Sequence, residues 1–69
     1  MGKFEIIPRS QKTVDGKWVP EARVRVYHGS DFDETPMWDA ENKLFDTKEE
    51  ADAHSMAMGR RFLEKKGYV

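Results

Sequence analysis

Two histidines and a run of carboxylates are the side chains in this sequence best suited to acid–base or metal chemistry. His28 and His54 have no metal-type spacing to each other or to a carboxylate pair, so each is interpreted as a partly exposed polar residue. The acidic run that begins at Asp31 resembles the start of a calcium-binding loop. However, Pro36 occupies the sixth position, where such loops need glycine, and the closing glutamate is missing. We therefore predict no metal site.

Residues for nucleophilic or phosphate chemistry are also missing. The 69-residue chain contains no cysteine, which removes thiolate nucleophiles, disulfides and cysteine-based zinc sites. It has no G-x-S-x-G, P-loop, H-E-x-x-H or G-x-G-x-x-G motif. A chain of this length folds as one small domain, which cannot enclose an ordinary substrate cleft. We expect a protein that is not an enzyme and uses no cofactor.

Aromatic and apolar residues in polar surroundings point to binding instead. Met37 and Trp38 follow an acidic stretch that also contains Phe32, and tryptophan is frequent at the energetic centre of interfaces. The alternative for Trp38 is a core position under the helix. Exposed apolar patches usually mark interfaces, so the leading hypothesis is a small interaction or regulatory module that binds a protein partner or itself as a homodimer. Three more residues of this predicted surface lie on the sheet face that no helix covers: Ile7, Val19 and Tyr27.

Charge is unevenly distributed along the chain, although the net charge is only −1. Residues 1–28 contain six basic and three acidic residues, residues 29–50 contain two basic and eight acidic residues, and residues 51–69 contain four basic and two acidic residues. DNA-binding proteins usually carry a basic excess, because phosphate neutralisation supplies much of their affinity. Here the basic excess is local.

DNA binding by the outer sheet face is the alternative hypothesis. Arg23, Arg25 and Tyr27 stand at alternate positions of one predicted strand, and sheets can read DNA grooves with such side chains. A solvated outer face is the simpler interpretation of the same residues. In the DNA hypothesis, the residues that contact the phosphate backbone are Arg9, Lys12 and Lys17.

Two stretches resemble a known DNA-binding family. Residues 16–23 (GKWVPEAR) and 45–51 (FDTKEEA) are similar to the most recognisable parts of the plant ethylene-response-factor type domain, whose relatives include the arm-binding domains of tyrosine recombinases. The resemblance covers about 15 of 69 residues, and the first strand, 4–8 (FEIIP), lacks that family's arginines. It implies three antiparallel strands packed on one helix, with Glu21 and Arg23 at strand positions that face DNA.

Period-2 alternation predicts three strands. Phe4 and Ile6 begin a strand over 3–11, and the cleanest alternation covers 18–28. A third strand over 37–45 completes a meander, although its two ends could also belong to one short strand after a turn.

Turn residues set the connections between these strands. Asp15-Gly16 is suited to a tight reversal. Pro20 lacks a backbone donor, which predicts an edge, a bulge or a hairpin mouth within the second strand. The stretch 29–36 is rich in Gly, Ser, Asp and Glu and predicts an acidic surface loop.

One amphipathic helix is predicted over 48–66. Thr47 and Glu50 form a capping-box pattern, and Gly67 suits a left-handed stop after a basic last turn. Gly59 in the helix predicts close contact with the sheet. The fold class is therefore α+β, with a three-stranded antiparallel sheet packed on one C-terminal helix. The predicted core consists of Phe4, Ile6, Trp18, Val24, Val26, Leu44, Ala51, Met58 and Phe62.

The cellular location is predicted from what the sequence lacks. Its longest apolar runs are pairs and triplets, far below the roughly 20 residues of a membrane-spanning helix. No apolar stretch of signal-peptide length follows Met1, and Ile6 occupies the position where an N-acylation motif needs Ser or Thr. We expect a cytoplasmic protein without a membrane anchor.

Overall fold

A computed structural model of the chain describes residues 3–68. Strands β1, β4 and β5 form an antiparallel sheet in the order β1-β4-β5, and β2 pairs with β3 in a small second sheet. The helix α1 packs on one face of the larger sheet, so the predicted α+β fold class is confirmed. In chain order the elements are β1 (Lys3–Pro8), β2 (Gln11–Lys12), β3 (Trp18–Val19), β4 (Glu21–His28), β5 (Asp31–Trp38) and α1 (Lys48–Lys66).

The first two predicted strands form one long hairpin that is interrupted near its middle. β1 pairs with β4 and β2 pairs with β3 in one continuous register. Pro20, which has no backbone N–H to give to a ladder, lies between β3 and β4 and is buried. The hairpin reverses at Gly16, whose φ is 85°. The Asp15-Gly16 turn and the interruption at Pro20 thus agree with the sequence prediction, while 3–11 and 18–28 are each divided in two.

The third strand lies earlier in the chain than the sequence predicts. β5 occupies Asp31–Trp38, so most of the predicted acidic loop 29–36 is strand. Most of the predicted strand 37–45 lies outside the sheet, with one isolated bridge between Phe45 and Trp18. The connection from β4 is the two-residue turn at Gly29, whose φ is 65°. Acidic residues have low strand propensity, but their cross-strand partners on β4 offset it.

Helix α1 has the bounds that the sequence predicts. The Thr47 hydroxyl accepts a hydrogen bond from the Glu50 amide at 3.2 Å, as expected for an N-cap. A capping box also predicts that the Glu50 carboxylate accepts from the Thr47 amide. Here the carboxylate accepts from the Thr47 hydroxyl instead, at 3.0 Å. Gly67 ends the helix with a φ of 83°, and its amide donates to the Glu64 carbonyl at 3.1 Å.

The core centres on β4 and on a helix stripe of i, i+4 spacing. The buried helix residues are Ala51, Ser55, Gly59 and Leu63, whereas the sequence predicts Met58 and Phe62 as the core residues of the C-terminal half of the helix. Those two side chains are half-buried. The sheet contributes the buried side chains of Ala22, Val24 and Val26, with Ile6 and Met37 packed against them.

Two predicted core residues are exposed, and two buried core residues, Ala22 and Leu63, are not among the predicted ones. Phe4 is 39% exposed because it lies in an edge strand, and Leu44 is 51% exposed because its segment forms no strand. Leu63 is fully buried. The helix meets the sheet closely at Gly59, where an added Cβ would lie 2.6 Å from Ile6 Cγ2, in agreement with the predicted close contact.

Candidate functional site

The sheet face turned away from the helix brings together most of the residues that the sequence analysis selected. Side chains alternate between the two faces of a strand, so the residues between buried Ala22, Val24 and Val26 point away from the core. We call this surface the outer face. The pairing register assigns to it Lys3, Glu5, Ile7, Glu21, Arg23, Arg25, Tyr27, Phe32, Glu34, Pro36 and Trp38.

Glu34 binds both arginines of the outer face. The Arg25 Nε donates to Glu34 Oε1 at 2.8 Å, and the Arg23 Nη1 donates to Glu34 Oε2 at 3.3 Å. The hydrogen bond from Arg25 lowers the pKa of Glu34, and the same bond raises the pKa of Arg25. Both guanidinium groups are therefore paired with one carboxylate that the sequence analysis did not select.

An aromatic pair lies beside this ion-pair cluster. The rings of Tyr27 and Phe32 are 5.6 Å apart, and the Arg25 guanidinium lies 4.9 Å from the Phe32 ring centroid, within cation–π distance. The Tyr27 hydroxyl donates to Glu5 Oε1 at 2.9 Å. These contacts hold Arg23, Arg25 and Tyr27 in pairs within the outer face, which carries three cations and three carboxylates.

Two large aromatic side chains of β5 remain open to solvent. Trp38 is 66% exposed and Phe32 is 48% exposed, so Trp38 is a surface residue rather than a second core tryptophan. They stand at opposite ends of β5 on the same face. β5 is also an edge of the sheet, with β4 on one side only.

Two residues of the predicted binding surface lie elsewhere. Met37 points to the helix side, opposite Ala22, and packs against the core. Val19 lies in the small β2-β3 sheet, where it pairs with Gln11 and is half-buried. Ile7, opposite Arg23, does lie on the outer face and is half-buried.

The three predicted phosphate contacts lie along the hairpin beyond the larger sheet. Arg9 follows β1, and its amide donates to the Glu21 carbonyl at 2.7 Å. Lys12 is exposed in β2. The Lys17 ammonium donates to Asp46, and this hydrogen bond lowers the pKa of Asp46. Glu21 is a half-buried outer-face residue opposite Trp38.

A groove of about 340 Å³ runs between the C-terminal half of the helix and the end of β5. The apolar parts of its lining come from Met37, Trp38, Met58 and Phe62, and its charged lining residues are Arg61, Lys65 and Asp39. No carboxylate of residues 3–68 is within ion-pair distance of those two cations. The sequence pattern does not predict this groove, because its residues come from separate elements.

Neither histidine lies in a metal-binding cluster of the described residues. His54 Nε2 is 3.7 Å from Asp39 Oδ2, and its ring lies 5.3 Å from that of Phe45. The Lys43 amide donates to Asp39 and lowers its pKa. These contacts attach the segment after β5 to the helix. His28 Nε2 is 3.1 Å from Asp33 Oδ2 at the hairpin end.

The described residues hold no group of three or more His, Asp and Glu side chains that could bind a metal ion. Within residues 3–68, no helix is long and apolar enough to span a bilayer. Comparison of the chain with protein-family models, with curated proteins and with solved structures finds no match.

Proposed function

We propose that this chain is a small non-enzymatic module that binds a protein through the outer face and the adjoining free edge of β5. The observation that carries the proposal is the exposure of Trp38 and Phe32 on one face of an edge strand. Large aromatic side chains contribute most where they become buried at the centre of an interface.

The electrostatics of the outer face favour a protein partner. Arg23 and Arg25 are already paired with Glu34, and Tyr27 is paired with Glu5. A partner with apolar and aromatic groups would cover these pairs without separating them. A polyanion would have to compete with Glu34 for both guanidinium groups, because phosphate contacts come from the same donors.

DNA binding by the same face remains the second candidate. The observation in its favour is the uncovered face of a three-stranded antiparallel sheet with a helix behind it, which is the architecture that the ethylene-response-factor resemblance implies. Titration of labelled DNA duplex at low salt tests this candidate. Glu34→Gln is the diagnostic variant, because it removes the carboxylate that competes for Arg23 and Arg25. Duplex binding that Arg23→Ala weakens, and that falls steeply with salt, would replace our leading proposal.

Photo-crosslinking tests the leading proposal. A photoreactive amino acid is placed at position 38, at position 32 or at position 14, in cells that make the full chain. Val14 is the matched control, because it is fully exposed in the turn between β2 and β3. We expect one discrete protein adduct from positions 38 and 32 and none from 14. Equal labelling from all three positions, or no adduct, would contradict a protein-binding outer face.

The cytoplasmic location expected from the sequence stays part of this proposal. Fractionation of the same cells tests it.

A further inference from the structure

We propose that the partner is a second copy of this chain, joined through antiparallel pairing of the two β5 edges about a two-fold axis. This inference rests on the proposed protein-binding function and names its partner. The pairing would convert two three-stranded sheets into one continuous six-stranded sheet. Three features of the described residues support it: the unpaired amides of β5, the positions of its aromatic residues, and the charge of the neighbouring groove.

The backbone of β5 offers donors at regular intervals along its free edge. Opposed residues of an antiparallel pair alternate between bonded and non-bonded pairs. Pro36 lies opposite Arg23 and has no N–H, so we assign Arg23–Pro36 as a non-bonded pair. Every second pair from it along β5 is then also non-bonded, namely the pairs that contain Phe32, Glu34 and Trp38. The amides of Phe32, Glu34 and Trp38 therefore point away from β4, towards the free edge. An edge strand of eight residues with such amides is a template for another strand.

One register matches these donors and side chains best. With Thr35 at the two-fold axis, Phe32 of one copy lies opposite Trp38 of the other, and Glu34 lies opposite Pro36. Shifting the register by two residues in one direction would oppose Glu34 with Glu34, which places like charges together. Shifting it in the other direction would oppose Pro36 with Pro36, where neither residue can donate. Pro36 thereby selects the register rather than blocking the edge.

The selected register covers the exposed aromatic residues. Trp38 is 66% exposed and Phe32 is 48% exposed in the single chain, and both belong to the outer face. Two symmetry-related Phe32–Trp38 pairs would form, because each copy contributes one residue to each pair. Aromatic pairs at directly opposed positions stabilise antiparallel strands. In an isologous interface the same patch serves both copies.

Charge complementarity on the helix side supports the same arrangement. In this register Asp33 of one copy lies opposite Met37 of the other. Met37 lines the groove together with Arg61, Lys65 and Asp39. Asp39 accepts from the Lys43 amide, and neither cation has a carboxylate within ion-pair distance in residues 3–68. The carboxylate of Asp33 is 81% exposed and touches only His28 among the described ionisable groups. Asp33 would therefore supply the acidic partner that these cations lack.

Sedimentation equilibrium of the full chain, from micromolar to millimolar concentration, tests this inference. We expect a reversible monomer–dimer equilibrium with no larger species, because pairing of β5 with β5 closes on itself. Trp38→Ser should raise the dimer dissociation constant at least about tenfold, as truncation of a central interface aromatic does. The matched control Val14→Ser should leave it unchanged. Thermal melts verify that each variant remains folded.

A charge exchange tests the orientation of the two copies. Asp33→Arg and Arg61→Asp should each weaken the dimer, and the double variant should recover most of the loss. A monomer at every concentration would overturn the inference, as would a dimer that neither Trp38→Ser nor the charge exchange affects. A chain that stays monomeric but forms an adduct with a different protein from position 38 would overturn self-pairing and leave the proposed function standing. A monomer without any adduct would contradict both.

Discussion

Replacing Gly59 with alanine is expected to destabilise the fold, although alanine is the better helix former. An added Cβ would lie 2.6 Å from Ile6 Cγ2, 3.2 Å from Cγ1 and 3.3 Å from Cδ1. The closest of these atoms is attached directly to the Ile6 Cβ, so it cannot move away by rotation of the side-chain tip alone. The contact is relieved only by a new χ1 rotamer of this β-branched side chain or by a shift of the helix or the strand.

The magnitude follows from two opposing effects. Glycine to alanine within a helix stabilises by about 1 kcal/mol, whereas overpacking a close contact costs about 1–3 kcal/mol. The net result is a loss of about 1 kcal/mol, which lowers the melting temperature of a 60–100-residue domain by about 4–8 °C. Urea unfolding followed by tryptophan fluorescence measures the change in free energy of unfolding.

Two further variants isolate the cause. Ala57 lies in the same helix and is exposed, so Ala57→Gly should cost about 1 kcal/mol through helix propensity alone. In an Ile6→Ala background the contact disappears, and Gly59→Ala should then become stabilising. If Gly59→Ala raises stability in the presence of Ile6, the close contact between helix and sheet does not exist and the packing argument is wrong.

Three more predictions concern the core, the helix cap and acid stability. Leu63→Ala should cost about 2–5 kcal/mol, as for other buried leucines, and more than Phe62→Ala does, which a pair of urea titrations would measure. Thr47→Ala should cost about 1 kcal/mol through loss of the N-cap, visible as a lower melting temperature, with Thr47→Ser close to the parent chain. The pKa values of Glu34 and Asp46 are lowered by Arg25 and by Lys17, so their contribution to stability is present above the unfolded-state pKa. It should be lost as the pH falls through the lower folded-state pKa, below about pH 4. A urea midpoint that stays constant down to pH 2 would contradict those pairings.

The sequence carries strong signals for the helix and the first hairpin because these depend on local chemistry. Three of these signals depend only on the backbone of the residue itself or of close neighbours: the N-cap at Thr47, the turn at Asp15-Gly16 and the interruption at Pro20. The alternation of Ala22, Val24 and Val26 with polar residues correctly separates the inner and outer faces of β4. Tertiary context was not required for these features.

The sequence does not predict β5 as a strand, because the stability of β5 depends on its contacts with other elements. The segment from Asp31 to Pro36 lacks the apolar alternation of a half-buried strand, and its residues have low strand propensity. The pairing of Glu34 with two arginines, the contact of Phe32 with Tyr27 and the packing of Met37 against the core stabilise the strand, and such contacts are invisible until the register is known. The two-residue Gly29–Ser30 connection after a strong strand is the local signal that predicts a hairpin here.

The buried helix position near the C-terminus is Leu63, one residue after the predicted core residue Phe62, for a similar reason. At 100° per residue Phe62 and Leu63 lie on neighbouring sides of the helix, and both are apolar. The close approach at Gly59 decides between them, because it turns the i, i+4 row from Ala51 to Leu63 towards the sheet. Phe62 then lines the groove beside Arg61 and Lys65, so the same rotation positions the groove and these two cations next to the free edge.

The accessibility of Trp38 is the most direct test of the claim that β5 and the outer face form a binding surface. Iodide quenching of fluorescence is measured on a Trp18→Phe variant at micromolar concentration, so that Trp38 is the sole tryptophan. We predict a quenching constant close to that of a free tryptophan side chain in solution, because 66% of the residue is exposed. A shielded, weakly quenched Trp38 in the dilute chain would contradict the account, since no open aromatic edge would then be available to a partner.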